Sequence, residues 1–111
     1  MMGQNKHMIE IVMADISNNT NKNQKKSFVV PGHQQAHPND VVTWEARDSS
    51  ATFFFPKPEL FGKKEYRVEK GEKLSLTVSE NAEEGRHYPY AVYTDNDDFA
   101  EGGSFPRIII R

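Results

Sequence analysis

His87-Tyr88-Pro89-Tyr90-Ala91-Val92-Tyr93-Thr94 is the stretch on which the reading of this chain turns. Successive side chains of an extended strand point to opposite faces, so Tyr88, Tyr90, Val92 and Thr94 share one face of a strand that runs from Arg86 to Thr94. Residues 95–104 then read as a polar loop, and Phe105-Pro106-Arg107-Ile108-Ile109-Ile110-Arg111 as a terminal strand. Upstream, Leu74, Leu76 and Val78 alternate with Lys73, Ser75, Thr77 and Ser79, the same period of two in a half-buried strand.

The remaining segments follow the same pattern. His7 to Ile16 alternates weakly, with Ile9, Ile11 and Met13 on one side, and residues 18–26 follow as an exposed polar loop. Ser27 to Val30 is a short strand ended by Pro31-Gly32. Pro38-Asn39-Asp40 is a turn feeding Val41 to Ala46, which suits a pleated surface and contains Trp44, the expected core anchor. Ser50 to Phe55 is a strand stopped by Pro56 and Pro58, Leu60-Phe61-Gly62 a loop plugging one end, and Glu65 to Val68 a strand before the turn at Lys70-Gly71-Glu72. Ser79 to Gly85 has room for one helical turn. About seven or eight short strands with turns between them, and no amphipathic helix of ordinary length, mark an all-β sandwich or small barrel. Residues 1–111 form a single domain with no internal repeat.

Composition narrows the function classes. The 111 residues carry a formal net charge of −2, 36% hydrophobic and 27% charged residues, ordinary for a globular domain and without the basic excess that polyanion binding draws on. Lys22, Lys25 and Lys26 are not interleaved with aromatic residues, so neither a nucleic acid nor a membrane is an expected partner. The absence of cysteine excludes disulfides, thiolate zinc sites, iron–sulfur clusters and a cysteine nucleophile. The first residues contain no long apolar run, so the chain as written reads as cytoplasmic, and as periplasmic or secreted if a leader has been removed. No nucleophile elbow, phosphate loop or His-Glu-x-x-His pattern is present, which points away from an enzyme.

Five segments taken in order resemble the cupredoxin family: Pro38 to Trp44, Asp48-Ser49-Ser50, Phe53-Phe54-Phe55-Pro56, Val68 to Glu72, and Tyr88 to Tyr93. The resemblance spans residues 38–110 and implies a Greek-key β-sandwich or barrel. It also implies where copper ligands belong: a histidine after the Asp-Ser loop, a cysteine at the end of the Tyr-rich strand, and a histidine and a methionine in the loop beyond. Ala51 or Thr52 stands at the first position and Thr94 at the cysteine position, and Asp95 to Ser104 contains neither His nor Met. The tail from Asp98 to Ile108 is more similar to a branch of small bacterial cupredoxin-like proteins than to the electron carriers. No cofactor is expected.

Three other groups are candidates for chemistry. His33 and His37 are imidazoles in a turn-rich segment, suited to copper, nickel or zinc if a third ligand such as His87 or His7 joins them. Asp95 and Asp97, with Asp98 and Glu101, offer the hard oxygens that calcium takes, without EF-hand spacing, and Asp97 or Asp98 is equally suited to pairing with Arg107 or Arg86. Met8 and Met13 read as packing residues. The rim loops, the polar 18–26 and the acidic 95–101, are the expected contact surface for a protein or glycan partner. Phe53-Phe54-Phe55 must split across a strand, so an exposed Phe54, or Tyr93, is the candidate aromatic patch for a carbohydrate or peptide, while Thr52, Tyr90 and Thr94 fill the vacated metal pocket. The chain is thus read as a copper-free, non-catalytic binding module, a monomer or weak dimer, with a rebuilt metal site or an aromatic carbohydrate or peptide site as alternatives.

Overall fold

The computed structural model describes residues 4–15, 25–95, 98–100 and 105–111. Among them are eleven strands and no helix: β1 (Lys6–Asp15), β2 (Lys25–Val30), β3 (His33–Ala36), β4 (Val41–Ala46), β5 (Ala51–Phe54), β6 (Glu65–Val68), β7 (Lys73–Thr77), β8 (His87–Pro89), β9 (Ala91–Thr94), β10 (Asp98–Phe99) and β11 (Arg107–Ile110). One layer has the order β2-β1-β4-β7, with β1 parallel to β4. The other combines β10-β9-β5-β6 with β3-β11-β8, where β3 runs parallel to β11. The two parts are joined because β8 and β9 are one run of chain. Tyr90 N–H donates to the Pro106 carbonyl (2.9 Å) and Ala100 N–H to the Val92 carbonyl (2.8 Å), which carries the pairing past the break. The result is an all-β, Greek-key sandwich.

The strand count exceeds the seven or eight expected, for local reasons. Pro89 has no N–H to donate, and pairing with β5 starts only beyond it, at Ala91 opposite Phe54, so one expected strand becomes β8 and β9. β3, expected as turn, is a strand because it lies along β11 from His33 opposite Arg107 to Ala36 opposite Ile110. Part of the expected 95–104 loop is β10, held by Phe99 opposite Tyr93. Lys25 and Lys26 belong to β2 rather than to a loop, and the rest of the 18–26 loop lies outside the described residues. Ser79 to Gly85 folds as turns, with Ala82 N–H on the Ser79 carbonyl (3.1 Å), not as a helical turn.

Trp44 organises the core. Its ring meets Phe53, Phe55, Phe61 and Tyr90 edge to face at centroid distances of 5.9, 5.6, 5.5 and 5.6 Å, the arrangement aromatic quadrupoles favour. Its Nε1–H donates to the Tyr90 hydroxyl at 3.0 Å, satisfying the indole's one polar group inside the sandwich. Burial pushes the Tyr90 phenol far above its ordinary pKa, and the Trp44 hydrogen bond opposes this only in part. Buried Leu60 and half-buried Phe61 close one end of the core, as the sequence predicts for this loop.

The turn before β4 is pinned by Asp40. Asn39 takes φ +73°, a left-handed conformation that asparagine tolerates, and the chain reverses so that Asp40 points inward at 3% exposure. The carboxylate accepts the His37 N–H (2.8 Å), the Asn5 N–H (3.2 Å) and the His7 Nε2–H (2.9 Å). Burial raises its pKa, but these donors outweigh burial and hold it below the ordinary carboxylate value. Asp48 does the same for the other end of β1, accepting the Met13 N–H at 2.8 Å. Met8, expected to pack, stands 49% exposed.

Candidate functional site

β5 and β9 lie side by side, and their alternation sorts the residues standing where the family resemblance expects copper ligands. Ala51 and Thr94 are cross-strand partners, both turned inward and fully buried. Thr52 points the other way: it is half-buried on the outer face, where Arg67 Nη1 donates to its hydroxyl at 3.4 Å. Thr52 therefore does not share a pocket with Thr94, whereas Ala51 does. The Thr94 Oγ1 lies 3.0 Å from the hydroxyl of Ser27, contributed by β2 of the opposite layer, and both side chains are fully buried. A hydrogen bond between two hydroxyls across the sandwich is a packed, satisfied arrangement rather than an open pocket. Asp48-Ser49-Ser50 also serves the fold, since the Ser50 hydroxyl accepts the Lys70 N–H at 2.8 Å.

The outer face of the same strands is different. Its register places Phe99, Tyr93, Thr52 and Arg67 in one row and Ala91, Phe54 and Glu65 in the next. Tyr93 and Phe99 meet edge to face at 4.9 Å. Phe54 is 37% exposed, Phe99 59% and Phe105 66%. Beside this surface is a hollow of about 180 Å³ lined by Pro56, Pro89, Tyr90, Ala91 and Phe105. A shallower one of about 350 Å³, lined by Phe54, Phe55, Pro56 and Lys64, adjoins it through Pro56. Neither Phe99 nor Phe105 was singled out as a contact residue from sequence, although Phe99 lies within the 95–101 loop expected to make contacts. Their signal was that they are the only large apolar side chains between Thr94 and Pro106.

The other candidates are dispersed. Asp95 forms a two-pronged pair with Arg67, Nη1 to Oδ1 at 2.8 Å and Nη2 to Oδ2 at 2.7 Å, and Arg67 also reaches Glu69 at 3.1 Å. The guanidinium holds the Asp95 carboxyl below its ordinary pKa, and Asp95 in turn raises that of Arg67. Asp97 lies outside the described residues, as does the side chain of Asp98. His33 and His37 are four residues apart on extended chain, so their Cα atoms are roughly 13 Å apart. His37 Nδ1 lies 2.6 Å from the main-chain oxygen of Arg111, and His87 accepts from Arg107 Nη1 at 3.2 Å. His7, joined to Asp40, accepts from the Gln34 amide on its Nδ1 at 3.2 Å, which leaves Nε2 as the protonated nitrogen facing the carboxylate. Among the described residues no group of three or more His, Asp and Glu is gathered to hold a metal. None of the described helices is long and apolar enough to cross a membrane, there being no helix among them.

A scan against protein-family models and a search of curated proteins gave no match. Solved structures are similar. A pseudoazurin from Sinorhizobium meliltoi superposes with a TM-score of 0.54 over 97% of this chain and 75% of its own, at 20% identity. The fold is cupredoxin-like. Fet3p, a multicopper oxidase that functions in iron import, matches with a TM-score of 0.52 at 11% identity over 98% of this chain, which spans 23% of that protein. A cupredoxin holds type 1 copper with two imidazoles and a thiolate in a near-trigonal set. At the positions where the family resemblance expects ligands, this chain has Ala51 or Thr52 and Thr94, the last bonded to Ser27. These groups include no imidazole and no thiolate, so the residues present do not fit a type 1 copper ion.

Proposed function

We propose that this cupredoxin-like domain is a non-catalytic binding module whose contact surface is the outer aromatic face of β5, β9 and β10. One observation carries the reading: Phe54, Phe99 and Phe105, three large apolar side chains left open to solvent, gather around Tyr93 and the hollow at Pro56. Exposed aromatic groups concentrated on one face are a common mark of recognition surfaces, since a ring supplies large contact area at little cost in side-chain entropy. The inner side of the same strands supports the reading, because Thr94, where the resemblance expects a cysteine, is buried in a hydroxyl pair with Ser27. The partner, protein or glycan, is met on this face.

The test is a binding screen on protein and glycan arrays with the native chain and with Phe54→Ala, Tyr93→Ala and Phe99→Ala. Each variant is expected to lose roughly tenfold or more in affinity for whatever the native chain captures, as central aromatic anchors do. Variants that keep full binding would remove this face from consideration.

A further inference from the structure

His7 belongs to a chain of hydrogen bonds that crosses from the layer containing β1 to the sheet containing β3. Its Nε2–H donates to Asp40 Oδ2 at 2.9 Å, and its Nδ1 accepts from the Gln34 side-chain amide at 3.2 Å. The same amide nitrogen donates its other hydrogen to the Gln35 main-chain carbonyl at 2.8 Å. Both ends of this chain accept and cannot donate, because Asp40 is an ionised carboxylate and Gln35 contributes a carbonyl oxygen. Every hydrogen bond between them therefore has a forced direction, and the set is complete with one ring proton on His7, at Nε2.

A second ring proton has no acceptor. On Nδ1 it would face the Gln34 amide donor to donor, and turning the amide over would set its oxygen against the Gln35 carbonyl instead, so one hydrogen bond is lost either way. Asp40 keeps its partner, since an imidazolium is the stronger donor to a carboxylate. The loss falls on Gln34. This residue belongs to β3, an edge strand that pairs only with β11 among the described residues and has Ala36 as its one buried side chain. The other titratable groups of the surrounding elements are engaged elsewhere or turned outward. The His37 ring is on the Arg111 main-chain oxygen (2.6 Å), Glu10 is paired with Arg47 (3.0 Å), and Arg107 reaches His87 (3.2 Å). Lys6, His33 and Arg111 are exposed, Glu45 stands across from Glu10, and β4 sets Val42 opposite His7. We propose that His7 is a proton-operated latch: with one ring proton it ties the edge strand β3 to β1, and with two it keeps Asp40 and releases β3.

The experiment follows the full chain by NMR from about pH 8 to about pH 5, the interval in which histidines take up a proton. At the upper end the ring nitrogens of His7 are expected to report the Nε2–H tautomer. As His7 takes its second proton, the Gln34 side-chain amide should shift with the same midpoint. Hydrogen-exchange protection across β3 should fall roughly tenfold relative to β4, the weight of one lost hydrogen bond. His7→Gln should remove this change, whereas His33→Gln and His87→Gln should keep it. Gln34→Glu offers the imidazolium an acceptor and should reverse the sign, with β3 held more tightly at the acid end. Each variant is compared with itself across pH, so a uniform loss of stability cancels. The inference is overturned by an Nδ1–H tautomer at the upper end, by a Gln34 amide indifferent to the His7 midpoint, or by β3 protection constant to within about twofold. A pH response that survives in His7→Gln, or one of native sign in Gln34→Glu, overturns it as well.

Discussion

The inner and outer sides of β5 and β9 are made from the same eight residues and have opposite character. Ala51, Phe53, Val92 and Thr94 are sealed into the core, while Thr52, Phe54, Ala91 and Tyr93 stay partly open. Among the described residues, the buried side carries close packing and the hydroxyl pair of Thr94 with Ser27. The strand pairing, the Trp44 cluster and the turn at Asp40 are each built from contacts between residues of the chain itself. The inner side thus holds the fold together, and the recognition proposed above falls to the outer side.

This contrast breaks most visibly at Trp44. Trp44→Ala removes a ring packed against four others and is expected to cost about 4 kcal/mol, enough to unfold much of the population, as read by denaturant titration. Asp40→Ala comes next. It strands the N–H groups of His37 and Asn5 and the His7 imidazole, with an expected cost of about 3 kcal/mol. Because the Asp40 pKa is depressed in the folded state, its contribution is in place above the unfolded value of about 3.9 and is lost as pH falls through the folded one. Native protein should therefore lose stability below about pH 4 more steeply than Asp40→Ala, and parallel acid limbs would show that the carboxylate does not pin the turn. Thr94→Val and Ser27→Ala are each expected to cost about 1 kcal/mol, and the double variant less than their sum, with a coupling near 0.5–1 kcal/mol in a double-mutant cycle. Phe54→Ala is the smallest, within about 0.5 kcal/mol in stability, although it is expected to lose roughly tenfold or more in binding. A large loss of stability there would make Phe54 a core residue and erase the distinction between the two sides.

The sandwich was legible wherever apolar residues alternate. The period of two in Lys73 to Ser79 and in Tyr88 to Thr94 located strands and their buried faces correctly. β3 was hidden because Gln34 and Gln35 are polar and its pairing partner, β11, lies more than seventy residues away. Pairing at such separation leaves no local periodicity. The same holds for the site. The loss of imidazole and thiolate was visible by position, but choosing between Ala51 and Thr52 required the strand register, which decides the face. The partnership of Thr94 with Ser27, of Asp95 with Arg67 and of Asp40 with His7 each joins distant segments, so composition and spacing had nothing to say about them. Phe54 was found outward because alternation within Phe53-Phe54-Phe55 forces a split, whereas Phe99 is held by two-residue β10, too short to carry a pattern.

Tyr90 belongs to both sides at once. Tyr90 is among the residues lining the outer hollow, and its hydroxyl takes the hydrogen bond of the chain's single tryptophan. An indole's emission responds to the polarity and hydrogen bonding at its nitrogen, so this arrangement couples a surface event to a buried chromophore without any label. On the proposed reading, a ligand settling on the hollow at Tyr90 would be reported by light from Trp44, an optical gauge built into the domain.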